Sequence, residues 1–228
     1  MEEMVNRIKE IEAQVEKALW ELEIKGHLPE VLIIYRDSET ELESLGIEVT
    51  HLAYAEQQRV LAYCLMRQGN ILRQQGKLQE ALTLSEREII AARASGDEIA
   101  LARSLLSNGT NFIVAGKLDQ GLMLIDEARD LFKKGDSFDH MQGLGWYWIL
   151  QADLSSAGLL EREPAELIEI ASRALDILTP IKNWPGVARA YAARATVYEK
   201  LGDVEQAEND RKLQKFAENE SKSESIDN

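Results

Sequence analysis

The chain has 228 residues, of which 45% are hydrophobic, and a formal net charge of −14 at pH 7. This apolar content suffices for one continuous core, which excludes a chain that is disordered throughout. So large a negative charge repels phosphate groups at long range, which argues against nucleic acid and membrane surfaces as partners and favours a basic protein.

The N-terminus has none of the features of a secretion signal, because the acidic start MEEMVNRIKE lacks a basic region followed by an apolar one. No later stretch reaches the ~18 consecutive apolar residues of a membrane span. The one cysteine, Cys64, cannot form an internal disulfide and is expected to be a small core residue. We therefore expect a cytoplasmic protein.

Helix-forming residues dominate the composition. Ala, Leu, Glu, Gln, Arg and Lys are abundant and only four prolines are present, and unbranched side chains lose little rotamer freedom in a helix. We therefore predict an all-α protein without strands.

The N-terminal segment, residues 1–48, is predicted to be a divergent, acidic helical hairpin. It carries 13 Asp and Glu against 5 Lys and Arg, whereas residues 62–134 carry 9 against 10. Its stretch ALWELEIKGHLPEVLIIY, residues 18–35, has a central Gly26 followed by an apolar run. This stretch is the least regular of the repeats described next.

One pattern recurs along residues 49–215. Three segments share it: GNILRQQGKLQEA (69–81), GTNFIVAGKLDQG (109–121) and ATVYEKLGDVEQA (195–207). Their central glycines, Gly76, Gly116 and Gly202, lie 40 and 86 residues apart. Because 86 is about two further periods, we expect a diverged copy with its glycine at Gly158, which gives about five copies with the N-terminal one.

The pattern predicts that each copy consists of two helices joined by a tight turn. A small residue at Gly69, Gly109 or Ala195 allows a neighbouring helix to approach closely, and the central glycine suits a helix end that requires positive φ. A short turn forces the two helices to run antiparallel. Pro164 is expected in the first turn of a helix that follows an insertion.

The last segment, residues 216–228, is predicted to be a disordered acidic tail. Beyond Phe216 it contains only two apolar residues, Ala217 and Ile226. Such a segment has little surface to bury.

A search for catalytic motifs finds none. The three histidines fall in three different copies, and no metalloprotease, phosphate-binding or dinucleotide-binding motif is present. Asp136, Asp139 and His140 could supply three metal ligands, but a helix cap at Asp136 or Ser137 is the favoured interpretation. We therefore expect no enzyme activity, no cofactor and no metal site.

The repeats resemble the tetratricopeptide repeat (TPR) family, in which a bulky residue, a small residue, an aromatic, a glycine turn and an alanine recur. The matching residues are Leu65, Gly69, Leu72, Gly76 and Ala81, and again Tyr191, Ala195, Tyr198, Gly202 and Ala207. The period is longer than the usual ~34 residues and is similar to a long variety found in signalling scaffolds and bacterial regulators. The resemblance implies a right-handed α-α superhelix, or solenoid, of about five antiparallel helix pairs.

In this family the first helices of the pairs line a concave groove that holds the partner. Carried over position by position, the resemblance implies these groove residues: Tyr63, Met66, Asn70, Arg73, Arg103, Leu106, Thr110, Ile113, Trp148, Arg189 and Thr196. Asn70 is equally a solvated or capping amide, Arg73 and Arg103 could pair with neighbouring glutamates, and Trp148 could pack in the core.

Two functions follow from the resemblance. The first is a non-catalytic adaptor that holds a peptide or helix of another protein in the groove. The alternative is a sensor module that binds a small ligand or signalling peptide and controls a separate effector. Both functions are compatible with a chain that forms a homo-oligomer.

Overall fold

The computed structural model describes residues 2–227, with side chains described up to residue 223. Within these residues the regular structure is entirely helical, which confirms the all-α prediction. The helices are α1 (Glu2–Ala18), α2 (Leu28–Ser44), α3 (Tyr54–Gln74), α4 (Leu78–Ser95), α5 (Glu98–Val114), α6 (Leu118–Phe132), α7 (Phe138–Ser156), α8 (Pro164–Leu178), α9 (Trp184–Leu201) and α10 (Val204–Asp227). A π-helical segment, Leu19–Glu23, continues α1. None of the described helices combines the length and apolarity that a membrane crossing requires.

Five glycines divide the chain into five helix pairs, as the sequence predicts. Gly26, Gly76, Gly116, Gly158 and Gly202 all have φ between 73° and 84°. In four pairs the second helix begins two residues after this glycine. After Gly158 it begins only at Pro164, where the sequence predicts an insertion. The five-copy arrangement is therefore confirmed, including the irregular N-terminal copy.

The chain forms two compact units, residues 1–131 and 132–228. The boundary predicted after residue 48 falls inside the first unit. In unit 1, α1 contacts α3 and α3 contacts α5, whereas in unit 2 α7 contacts α9. We call the solvent-exposed side chains of α1, α3 and α5 the first-helix face of unit 1, and those of α7 and α9 the first-helix face of unit 2.

The N-terminal hairpin shares one core with the next pair. Ile11 of α1, Tyr35 of α2, Leu65 of α3 and Ala92 of α4 are fully or almost fully buried in a single hydrophobic cluster. Burial of this kind is the main stabilising term in folding. The divergent first copy is therefore part of unit 1.

Helix α10 extends through the segment for which the sequence predicts a disordered tail. Ala217 is completely buried in the core of unit 2. Phe216 packs edge to face on Trp184 of α9, with 5.9 Å between the ring centroids. These two contacts join the start of the segment to unit 2. Asn228 lies outside the described residues.

Candidate functional site

Several carboxylates of the N-terminal hairpin pair with arginines of the following helices. Glu12 accepts from Arg59 at 2.6 Å, and Glu39 and Glu43 accept from Arg87 at 2.6 and 2.7 Å. These pairs join the N-terminal hairpin to α3 and α4 within unit 1.

A partly buried ion pair between the π-helical segment and α3 extends this pattern in unit 1. Glu23, in the π-helical segment, accepts from Nε of Arg67 at 3.0 Å and from the hydroxyl of Tyr35 at 2.7 Å. Burial, together with the hydrogen bond to this carboxylate, raises the pKa of Tyr35. The π-helical turn therefore places a carboxylate against an arginine and a tyrosine of two other helices.

The predicted groove residues of unit 1 form two polar contacts between α3 and α5. Asn70 accepts at Oδ1 from the hydroxyl of Ser107 at 3.2 Å, and Arg73 donates from Nη1 to Oδ1 of Asn111 at 2.6 Å. Arg103 also takes part in an interaction within the protein. Both arginines thus have partners within the protein, and the one that is resolved for Arg73 is the amide of Asn111 rather than a glutamate.

Tyr63, Leu106 and Thr110 are partly buried and keep some exposed surface. Burial raises the pKa of Tyr63, while the nearby charges of Arg67 and Arg103 oppose this rise. Thr110 donates its hydroxyl to the main-chain oxygen of Leu106 at 2.8 Å. These three residues supply a modest mixed surface.

Two predicted groove residues are core residues, which corrects the sequence-based assignment. Ile113 is 2% exposed and lies where a β-carbon on Gly121 of α6 would meet its side chain. Met66 is also buried. The face of α5 that carries Gly109 and Ile113 packs against α6, so Ile113 has no surface with which to contact a partner.

Trp146 and Trp148 of α7 are both partly buried, and each lies beneath an arginine, although the sequence points to Trp148 alone. Trp148 packs against the core of the unit beneath Arg173 of α8, whose guanidinium carbon lies 4.8 Å from the ring centroid. Trp146 also rests on this core but carries Arg189 of α9 above its ring, at 5.7 Å. The spacing that could have identified Trp146 is the interval of seven residues to Asp153, which places both on one side of α7.

Arg189, Trp146 and Asp153 form a compact group that we call the Trp146–Arg189 patch. Arg189 donates from Nη2 to Oδ2 of Asp153 at 2.6 Å. Its side chain is still 55% exposed, and a guanidinium carries more N–H donors than this one hydrogen bond uses. Burial raises the pKa of Asp153, and the charge and hydrogen bond of Arg189 partly offset that rise.

Thr196, the remaining predicted residue of α9, both donates and accepts a hydrogen bond through its hydroxyl. It donates to the main-chain oxygen of Ala192 at 3.0 Å and accepts from Nη2 of Arg211 of α10 at 3.2 Å. It therefore helps to join α9 to α10.

The residues considered for chemistry have structural roles. Ser137 caps α7 by accepting from the main-chain N–H of His140, and its hydroxyl lies 2.7 Å from Nδ1 of the same histidine. Among the described residues there is no group of three or more His, Cys, Asp or Glu side chains that could hold a metal ion. Cys64 is buried, and this burial raises the pKa of its thiol to about 12.

Known proteins resemble this chain in structure. No protein-family model and no curated protein match the sequence significantly. The structure of BtubC (BKLC) from P. vanneervenii is similar with a TM-score of 0.62 at 15% identity, covering 95% of this chain and 87% of that one. A kinesin light chain of Podosopora anserina with nearly identical TPR-like repeats gives 0.54 at 12% identity, over 95% and 97% of the two chains. The apo form of RapI gives 0.52 at 12% identity, over 97% and 72%.

Identities this low establish the fold alone. With its five turn glycines and ten described helices, the chain has the TPR-like helical repeat fold.

Proposed function

We propose that this chain is a non-catalytic interaction module that holds a peptide segment or helix of a partner protein on its first-helix faces. The observation that carries the proposal is the Trp146–Arg189 patch, in which an exposed arginine is held above an aromatic ring by a neighbouring carboxylate.

The patch has the features of an anchor for a partner. A guanidinium that is already oriented by Trp146 and Asp153 loses little freedom on binding, so each hydrogen bond that it then forms contributes more to affinity. Arginine and tryptophan are also the residues in which binding energy is concentrated at protein interfaces. A partner with a carboxylate and an apolar side chain close to it would use both parts.

The first-helix face of unit 1 offers a different surface. Tyr63, Leu106 and Thr110 keep exposed surface there, and Asn70 presents an amide that is shared with Ser107. The hydroxyls of Tyr63 and Thr110 and the amide of Asn70 are suited to hydrogen bonds with a peptide main chain, and Leu106 offers an apolar contact. We infer that this face of unit 1, taken by itself, makes contacts of moderate strength.

Native copurification followed by mass spectrometry tests the proposal. The chain, Arg189→Ala and Arg173→Ala are purified in parallel. Arg173 is the matched control, because it is 51% exposed and also lies over a tryptophan, but on a second helix. We expect a stoichiometric protein with the parent chain and with Arg173→Ala, and its loss with Arg189→Ala. Equal retention by both variants would contradict the patch as anchor, and a retained small molecule would favour the sensor module instead.

A further inference from the structure

A buried polar cluster joins α4 to α5 inside unit 1. Glu88 of α4 is 1% exposed, and Ser104 and Asn108 of α5 stand beside its carboxyl group. Asn108 is completely buried. A carboxyl group in such a place is unusual, because the ionised form loses its hydration.

The hydrogen bonding of this cluster is incomplete. Among the described residues, neither Oε1 of Glu88 nor the amide nitrogen and oxygen of Asn108 has a hydrogen-bond partner. A buried donor or acceptor without a partner destabilises the fold, so such groups call for a specific explanation.

One charged side chain acts on Glu88 from the packed helices. Arg73 of α3 attracts the ionised form, while the α5 neighbours Ser104 and Asn108 are uncharged. Arg73 also donates a hydrogen bond to Asn111, so its guanidinium does not serve Glu88 alone. The adjacent Arg87 of α4 pairs with Glu39 and Glu43. Burial raises the pKa of Glu88 well above the ordinary value, and its polar neighbours Ser104 and Asn108, together with the positive charge of Arg73, only partly oppose this rise.

A proton on Glu88 would supply the hydrogen-bond donor that the buried oxygen atoms of this cluster lack. A protonated carboxyl group is both donor and acceptor, and a carboxamide is both as well, so the two groups complement each other. An ionised carboxylate can only accept, which leaves the amide oxygen of Asn108 without a donor. We propose that Glu88 and Asn108 form a proton-dependent latch between α4 and α5, closed when Glu88 carries a proton and loosened when the proton is lost.

The direction of the pH effect follows from this arrangement. Because the folded protein holds the proton more tightly than the unfolded chain, the latch stabilises the fold fully at low pH. Its contribution decreases as the pH rises through the pKa of Glu88 in the folded state. Loosening then exposes the main chain of α4 and α5, while unit 2 is unaffected.

Hydrogen exchange tests the latch directly. Exchange is measured at about pH 5.5 and about pH 8 and corrected for intrinsic rates, for the parent chain, Glu88→Gln and the exposed control Glu86→Gln on the same helix. We expect α4 and α5 of the parent to exchange about tenfold faster at the higher pH, with α8 to α10 unchanged. Glu88→Gln, with a permanent amide donor, should lose this dependence, and Glu86→Gln should keep it. Unchanged exchange in the parent, or the same dependence in Glu88→Gln, would overturn the proposal.

A second measurement uses the parent chain alone and does not depend on a variant that folds. Ordinary glutamates titrate near ~4.3, and the carboxyl carbon shift in ¹³C NMR follows the protonation of each. We expect one glutamate to remain protonated well above this range. Titration of every glutamate in the ordinary range would contradict the latch.

Discussion

Gly109 and Gly121 bring the backbones of α5 and α6 into direct contact. A β-carbon on Gly109 would lie 2.7 Å from the carbonyl oxygen of Gly121, and one on Gly121 would lie 2.5 Å from the carbonyl oxygen of Gly109. Both distances are shorter than any van der Waals contact allows. The two glycines therefore set the distance between α5 and α6, the two helices of the third repeat.

Substitutions at this contact should be destabilising. We predict that Gly109→Ala lowers the free energy of unfolding by about 1–3 kcal/mol, the usual effect of overpacking, and that Gly109→Leu lowers it further. Denaturant unfolding followed by circular dichroism measures the effect. The control is Gly69→Ala in the preceding repeat, where the nearest atom to an added β-carbon is Nδ2 of Asn111 at an ordinary 3.8 Å. That variant should be neutral or slightly stabilised, by up to ~1 kcal/mol through helix propensity. Equal effects at the two sites would contradict the glycine contact.

The Glu23–Arg67 pair should behave as a buried ion pair. Arg67→Met leaves the carboxylate of Glu23, whose side chain is 8% exposed, without its charge partner. We predict a loss of about 3–5 kcal/mol in the free energy of unfolding. The double variant Arg67→Met with Glu23→Gln should recover much of it, and the exposed Lys17–Glu21 pair should change stability by only ~0.5 kcal/mol when Lys17 is replaced by Ala. Additive effects in this double-mutant cycle would mean that the two side chains do not interact.

The C-terminal part of α10 should contribute to the stability of unit 2. Ala217 is completely buried, whereas Asn219 on the same helix is exposed. Ala217→Leu should therefore destabilise by about 1–3 kcal/mol through overpacking, and Asn219→Leu should have little effect on thermal unfolding. Indistinguishable melting curves for the two variants would restore the disordered tail that the sequence predicts.

The ion pair of the Trp146–Arg189 patch should give a pH-dependent stability difference. Asp153 has a raised pKa because it is buried, so its ionisation destabilises the fold as the pH rises above the ordinary value of ~3.9. Arg189 opposes this effect. Arg189→Ala should consequently destabilise more at neutral pH than at about pH 4, and adding Asp153→Asn should remove the difference. A constant effect across this range would show that Arg189 does not stabilise the carboxylate.

The repeat architecture was predictable because its signal is local. A glycine that must adopt positive φ marks each turn, and the period places the diverged copy even where the rest of the pattern has decayed. The side of α7 on which each tryptophan lies was not predictable from the sequence. Added β-carbons on Gly143 and Gly145 would meet the side chains of Phe132 and Leu178, so the helix is packed on more than one side. A helix buried in this way has no single apolar face to indicate that Trp146, rather than Trp148, lies beneath Arg189.

Ion pairs between residues far apart along the chain could not be predicted from the sequence either. The sequence shows an acidic N-terminal segment but not that Arg59, Arg67 and Arg87 pair with carboxylates of this segment, because those contacts span 44 residues or more along the chain. The burial of Glu88 was hidden for the same reason. Its neighbours on α5 are ordinary polar residues, and only packing reveals that they enclose a carboxyl group.

The most direct test of the central claim is a calorimetric titration of the copurified partner against the parent chain, Arg189→Ala and Arg173→Ala. Loss of charge-assisted hydrogen bonds should weaken binding to Arg189→Ala by about 1.5 kcal/mol or more, while Arg173→Ala binds like the parent and both variants melt normally. Unchanged affinity for Arg189→Ala would contradict the claim that the Trp146–Arg189 patch on the first-helix face of unit 2 anchors the partner.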